Sequence, residues 1–251
     1  MKLKKRMAAI LLPIMLVLGG TGCMNEKSPE TAIVDYLEKT YHEKFEVEKF
    51  KKGSTFLKKM YGSDKIIAHP KGKPEYVFLA GEDRNHEGEY YDTYVLSKWE
   101  YELTKKFEKD IRQIVPGDFE YRVLLYVEKS KYDSSMKDMS VFDYFSKKNN
   151  DAEVVINIAA KSPNPPKPEE YYEPVYRLLH LLGKLGVEAY DVSIGFVDSK
   201  DDVTDYIRTA SINNVPWSNL DAKVYGTIVV DNIANITDPS QIEEYYTKFE
   251  D

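Results

Sequence analysis

The chain reads as an α+β protein in which antiparallel or mixed sheets are backed by packed helices. Helical segments, with apolar residues recurring every ~3–4 positions, alternate with short strand-like runs through residues 29–251. The strand-like runs between the first two helical segments follow one another directly, broken by Gly and Pro, which is the pattern of a meander rather than of βαβ units. After Pro116-Gly117 the rhythm changes and strands alternate with helices, so the sequence predicts two small sub-domains, 29–115 and 116–251.

Ser28-Pro29-Glu30 starts the first helix, with a capping hydroxyl, a proline whose missing N–H costs nothing at that position, and an acid near the positive dipole end. Ile33, Tyr36, Leu37, Thr40 and Tyr41 form its buried stripe. Phe45 to Phe50, Lys65 to His69, Tyr76 to Ala80 and Tyr91 to Leu96 are the meander strands. Ser97 to Glu100 fits a capping box opening a second helix, whose Trp99, Leu103, Phe107, Ile111 and Ile114 share one face. In the second half, Tyr121 to Val127 and Val154 to Ala160 read as strands, and Ser140 caps a short helix between them. Ser162 to Pro168 is a stiff polyproline-like connector. The helix after it begins near Tyr171, since Pro174 is tolerated only in a first turn, and ends at Gly186. Tyr190, Val192, Ile194 and Phe196 alternate as a half-buried strand. A long polar stretch precedes a strand at Val224 to Val230, and Asp238 caps a last helix carrying Ile242, Tyr245, Tyr246 and Phe249.

Residues 1–22 read as an export leader: Lys2, Lys4, Lys5 and Arg6 precede an apolar stretch, Met7 to Leu18, that small residues connect to Cys23. The run is shorter than the ~20 apolar residues a membrane span needs, and it contains Pro13. Thr21-Gly22-Cys23 resembles the lipobox of bacterial lipoproteins, with Gly20 in place of the usual aliphatic residue. The resemblance implies cleavage before Cys23 and a diacylglyceryl group on its thiol, with 23–28 as a tether on the extracytoplasmic face of the cell membrane. Cys23 is the sole cysteine, so no disulfide is available to consume it. Two acyl chains suffice for durable anchoring where one does not. Met24 follows the cysteine and lysine far exceeds arginine, which points to a Gram-positive source.

The formal charge of −7 becomes −11 once the four leader cations are removed. Such a surface repels nucleic acid, and no stripe of Lys and Arg with interleaved aromatics overturns that. Residues 31–104 resemble modules found in exported Gram-positive proteins through Tyr36-Leu37 with Lys39 and Tyr41, Phe45-Glu46-Val47, Ala68-His69-Pro70, Pro74 to Phe78, and Tyr91-Asp92-Thr93-Tyr94. These modules are similar to cystatin-like or PepSY-like units, and the resemblance implies binding or inhibition rather than catalysis.

Catalytic and metal-binding patterns are sparse. His42, His69, His86 and His180 have no zinc-ligand spacing. His180 shares a polar helical face with Glu173, Arg177 and Lys184, and His69 stands at a strand end before Pro70. The densest polar cluster, Glu82 to Glu89, contains Asp83, His86 and Glu87; it reads as a hairpin loop, with a cation site or acid/base chemistry as the alternative. Asp198, Asp201, Asp202 and Asp205 lack the spacing of a calcium loop and read as a helix start or solvated loop. No nucleophile elbow or phosphate loop is present. The tyrosine doublets at 90–91, 171–172 and 245–246 read mainly as core or core rim, with one of them free to anchor a partner.

The sequence therefore predicts a lipid-anchored extracytoplasmic binding protein, without cofactor or metal, whose partner is an envelope protein, a peptide or a wall polymer. Inhibitor or immunity action is the sharper form of this reading. An envelope hydrolase using a carboxylate pair among Glu82 to Asp92 is the alternative.

Overall fold

Two sheets organise the chain in the computed structural model, which describes residues 27–54, 62–86, 88–213 and 215–250. The leader, Cys23 and Glu87 lie outside the described residues. Helix α1 (Pro29–Tyr41) is capped by Ser28, whose side chain accepts from the Thr31 N–H. It is followed by a four-stranded antiparallel meander of β1 (Phe45–Lys51), β2 (Lys65–Pro70), β3 (Phe78–Glu82) and β4 (Tyr90–Asp92). Ile66, Ala68, Phe78 and Ala80 bury one face of it against Ile33, Leu37 and Tyr41 of α1. Tyr94 meets Tyr41 and Phe45 edge-on at centroid distances of 4.8 and 5.4 Å. Such pairs add roughly 0.5–1.5 kcal/mol beyond the area they bury.

Helix α2 (Tyr94–Ile114) packs against β3 of this sheet and β5 of the next. It starts a turn earlier than the expected capping box at Ser97. The Asp92 carboxylate accepts the Tyr94 N–H, so the helix opens there and β4 is cut short at Asp92. Ser97 is buried and donates back to the Tyr94 carbonyl, while Glu100 turns inward.

Pro116-Gly117 separates α2 from β5, and Gly117 takes the left-handed conformation (φ 76°) that the reversal requires. The second sheet has five strands in chain order: β5 (Asp118–Tyr126), β6 (Glu153–Ser162), β7 (Ala189–Asp198), β8 (Val224–Asp231) and β9 (Tyr246–Lys248). Only β6 and β7 are parallel, and α4 (Tyr172–Leu182) crosses between them. Helix α3 (Val141–Lys147), capped by Ser140, joins β5 to β6. Along the outer edge of β5, Thr104 Oγ1 and a Glu100 carboxylate oxygen accept the N–H groups of Val123 and Leu125. This covers an edge that would otherwise template strand addition.

Two further expectations need correction. The predicted last helix is a short 3₁₀ segment, Pro239–Tyr245, followed by β9. The Asp238 capping box is present, but Tyr246-Thr247-Lys248 pair with the free edge of β8 instead of continuing the helix. Aromatic and β-branched residues gain from this pleated surface. The stretch read as polar connection between β7 and β8 folds as α5 (Thr204–Arg208) and α6 (Ala210–Asn213). Val203, Ile207 and Trp217 pack there against Ala159 and Val197 on the outer face of the second sheet.

Gly195 is required by this packing, because a Cβ on it would fall 2.3 Å from the Trp217 ring. The main core is continuous from Ile33 to Ile242 and draws on both sheets. No helix among the described residues is long and apolar enough to cross a membrane.

Candidate functional site

The inner face of the second sheet is closed by α2 and α4, whereas α5, α6 and the Trp217 turn cover only part of the outer face. Beside them lies a cleft of about 560 Å³ over Leu124, Val155, Asn157 and Ser193. It joins a second cleft of about 760 Å³, sharing Tyr126 and Glu153 with it. That second cleft is walled by Val77 just before β3, Leu79 of β3, Leu96 of α2 and Ile212 of α6, so the groove reaches from the open sheet face to the junction with the meander.

Pairing places three carboxylates together at one end of the open face. Asp191 lies beside Asp231 across the antiparallel β7–β8 pair and beside Val155 across the parallel β6–β7 pair. Glu153 is two residues before Val155 and therefore on the same face. Burial, then the Glu153 and Asp231 charges, push the Asp191 carboxyl up to about 7. Asp191 Oδ1 is enclosed and has no hydrogen-bond donor. Asp231 instead accepts the Ile233 and Ala234 N–H groups. Two aromatic residues complete the wall: Trp217 donates to Ser193 Oγ at 2.9 Å, and Tyr206 packs on Trp217 with centroids 5.1 Å apart.

A buried ion pair lies beneath the junction, and of its two members only Glu100 lines the groove. Arg122 Nη2 lies 3.1 Å from Glu100 Oε2, both side chains being almost wholly enclosed. Desolvation pushes the Glu100 carboxyl up, opposed by Arg122 and by the Leu125 N–H. Arg122 also donates to the Glu75 carbonyl across the two halves, while its Nε has no partner.

The residues expected from the sequence mostly have local structural duties. Residues 83–86, 88 and 89 lie in the β3–β4 hairpin loop, where Asp83 accepts the Asn85 N–H and Lys129 Nζ; these hold its carboxyl low, at about 2. Asp92 accepts hydrogen bonds from Tyr36 and Tyr41 at 2.8 and 2.7 Å as well as from the Tyr94 N–H, so it knits α1, β4 and α2 together. His86 is exposed, 3.5 Å from Asp83.

His69 is buried on β2, with Nδ1 2.9 Å from the Pro70 carbonyl. His180 is exposed and packs on Tyr176 of its own helix. Asp202 accepts the Thr204 N–H at the start of α5, Asp198 accepts Lys200 N–H and Tyr225 OH, Asp201 accepts Lys223 N–H, and Asp205 pairs with Arg208. No group of three or more His, Cys, Asp or Glu converges to hold a metal ion among the described residues. In the doublets, Tyr90 stacks on Tyr36 and Tyr171 meets Phe196 edge-on.

Sequence reasoning missed Glu153, Asp191 and Asp231. Their signal was present in part, since strict alternation at Tyr190, Val192 and Ile194 puts Asp191 and Ser193 on the opposite face. The pairing that sets Glu153 and Asp231 beside them spans 78 positions of chain, from 153 to 231, and leaves no local pattern.

No protein-family model matches the chain, and no curated protein matches it in sequence. Among solved structures, the crystal structure of a DUF5037 family protein from Ruminococcus gnavus ATCC 29149 is similar, with 16% identity and a TM-score of 0.43 over 68% of this chain and 75% of that one. That likeness is too distant to speak to ligand or activity.

Proposed function

We propose that this is a lipid-anchored extracytoplasmic binding protein, tethered through Cys23, whose partner occupies the groove on the outer face of the second sheet. The observation that carries the reading is a groove with an exposed apolar rim and polar walls, as recognition sites have. Tyr126, Val215 and Val229 on that rim are three of the four large apolar side chains that stand exposed among the described residues. Asp83 of the hairpin loop is occupied by the Asn85 N–H and Lys129, which moves the site away from the loop. The lipid anchor is supported by the leader and by the sole cysteine.

A second reading, hydrolysis by a carboxylate pair, is favoured by one observation: Asp191 is poised to hold a proton near neutral pH beside Glu153. In that reading Asp191 is the acid and Glu153 its partner.

Cross-linking in intact cells followed by affinity capture tests the proposal. The parent should capture one or a few envelope proteins, and Tyr126→Ala with Val229→Ser should lose them. Cys23→Ser should release the chain from the membrane fraction. Capture unaffected by the groove variant, or retention unaffected by Cys23→Ser, would contradict the proposal. Loss of a cellular activity in Asp191→Asn with capture intact would put hydrolysis first.

A further inference from the structure

The groove has a distinct charge. Its walls carry Glu128, Asp151, Glu153, Glu188 and Asp191, and no lysine, arginine or histidine lines it among the described residues. The chain does not lack cations, since it holds 35 Lys and Arg against 42 acids. Elsewhere these neutralise the acids they meet: Arg208 forks onto Glu48, Lys161 pairs with Glu120, Lys129 with Asp83, and Arg112 and Lys105 share Glu108. None of the five wall acids forms such a pair among the described residues. Only Glu100 on the floor does, with Arg122.

Two further observations point to an occupant. Asp191 Oδ1 is an enclosed acceptor with no donor. A buried acceptor left open is unfavourable, so a cation drawn to this carboxylate group is favoured. The apolar rim is equally unpartnered, with Val229 46% and Tyr126 40% exposed over the buried floor of Leu124 and Val155. A ligand that satisfies both carries positive charge and apolar side chains together.

We propose that the groove takes a basic peptide segment, in which lysine or arginine side chains reach the wall acids and apolar side chains cover Tyr126 and Val229. This deepens the binding reading above and rests on it. Charge complementarity selects this occupant. A second copy of this chain is disfavoured, as each copy carries a formal charge of −7. Anionic lipid and nucleic acid are repelled by the same field. A lone divalent cation lacks the convergent oxygens it needs, since no metal-holding group forms among the described residues. The elongated form, two clefts joined at Tyr126 and Glu153, suits an extended segment.

The experiment uses the full chain in detergent micelles and fluorescein-labelled peptides alternating valine with lysine, serine or glutamate, read by anisotropy. The lysine peptide should bind about tenfold or more tightly than the serine peptide, and the glutamate peptide should not bind. Its affinity should fall between ~0.05 and ~0.5 M salt. Glu153→Gln with Asp191→Asn should weaken the lysine peptide about tenfold and leave the serine peptide unchanged. Asp143→Asn, on the exposed face of α3, should change neither. Near-ultraviolet circular dichroism confirms that the variants are folded.

Equal binding of the lysine and serine peptides, or full lysine-peptide affinity in the double variant, overturns the inference. If binding ignores charge but is lost in Tyr126→Ala with Val229→Ser, the groove reading stands and only its cationic preference falls. If neither variant pair affects any peptide, both fall.

Discussion

Asp191→Asn should stabilise the protein in a pH-dependent way. An ordinary aspartate titrates near ~4, and in this fold burial beside Glu153 and Asp231 brings Asp191 to about 7. Its folded-state pKa thus lies above the unfolded value. Below pH ~4 the carboxyl is neutral in both states and its contribution is fully present; as pH rises towards about 7, only the unfolded chain releases the proton, and stability is lost. At about 1.4 kcal/mol per pH unit the full effect is bounded near 4 kcal/mol, and residual solvent access to the half-buried side chain reduces the expectation to about 2–3 kcal/mol. Asparagine keeps the shape, removes the charge, and gives Glu153 and Asp231 an amide to accept from. Urea unfolding followed by tryptophan fluorescence, stepped from pH 3.5 to 8, measures the difference between parent and variant. The variant's advantage should grow between pH ~4 and ~7 and level off above that, with the urea dependence unchanged. A difference that stays flat across the range would refute the placement of Asp191 among those acids.

Three other outcomes follow from the packing. Arg122→Leu leaves Glu100 buried without its cation and should cost about 3–5 kcal/mol, while adding Glu100→Leu should restore much of the loss, both read by chemical unfolding. Asp92→Ala strips the acceptor from two tyrosine hydroxyls and the first turn of α2 and should cost about 2–3 kcal/mol, whereas Asp83→Ala with His86→Ala should leave the melting temperature unchanged. The continuous core and the Arg122 contacts tie the halves together, so circular dichroism and fluorescence should report one coincident unfolding transition; two separated transitions would show that 29–115 and 116–251 unfold independently.

Most of the fold was legible because its elements carry local marks. Ser28 and Ser140 cap as read, Gly186 ends the turn after α4, and the meander follows from short strands with turn residues between them. The misread segments are those where a distant partner decides. Tyr246 to Lys248 have helical spacing but find a strand edge, and Val203, Ile207 and Trp217 are too scattered among polar residues to signal a hydrophobic cluster. The site was harder still. The visible acid cluster at 82–89 is dense because a hairpin loop is polar, while the carboxylates that alter one another stand singly on three strands. Charge in a sequence marks exposure more readily than it marks convergence.

Central to this account is that a partner sits on the open face of the second sheet, and site-specific photo-cross-linking tests that most directly. A benzophenone amino acid placed at Tyr126 in the full chain, irradiated in intact cells, is compared with the same group at Glu173 on the helix that closes the opposite face. The account predicts a discrete adduct at position 126 whose cross-linked segment contains lysine or arginine, and none at 173. Adducts at 173 with position 126 silent would contradict it.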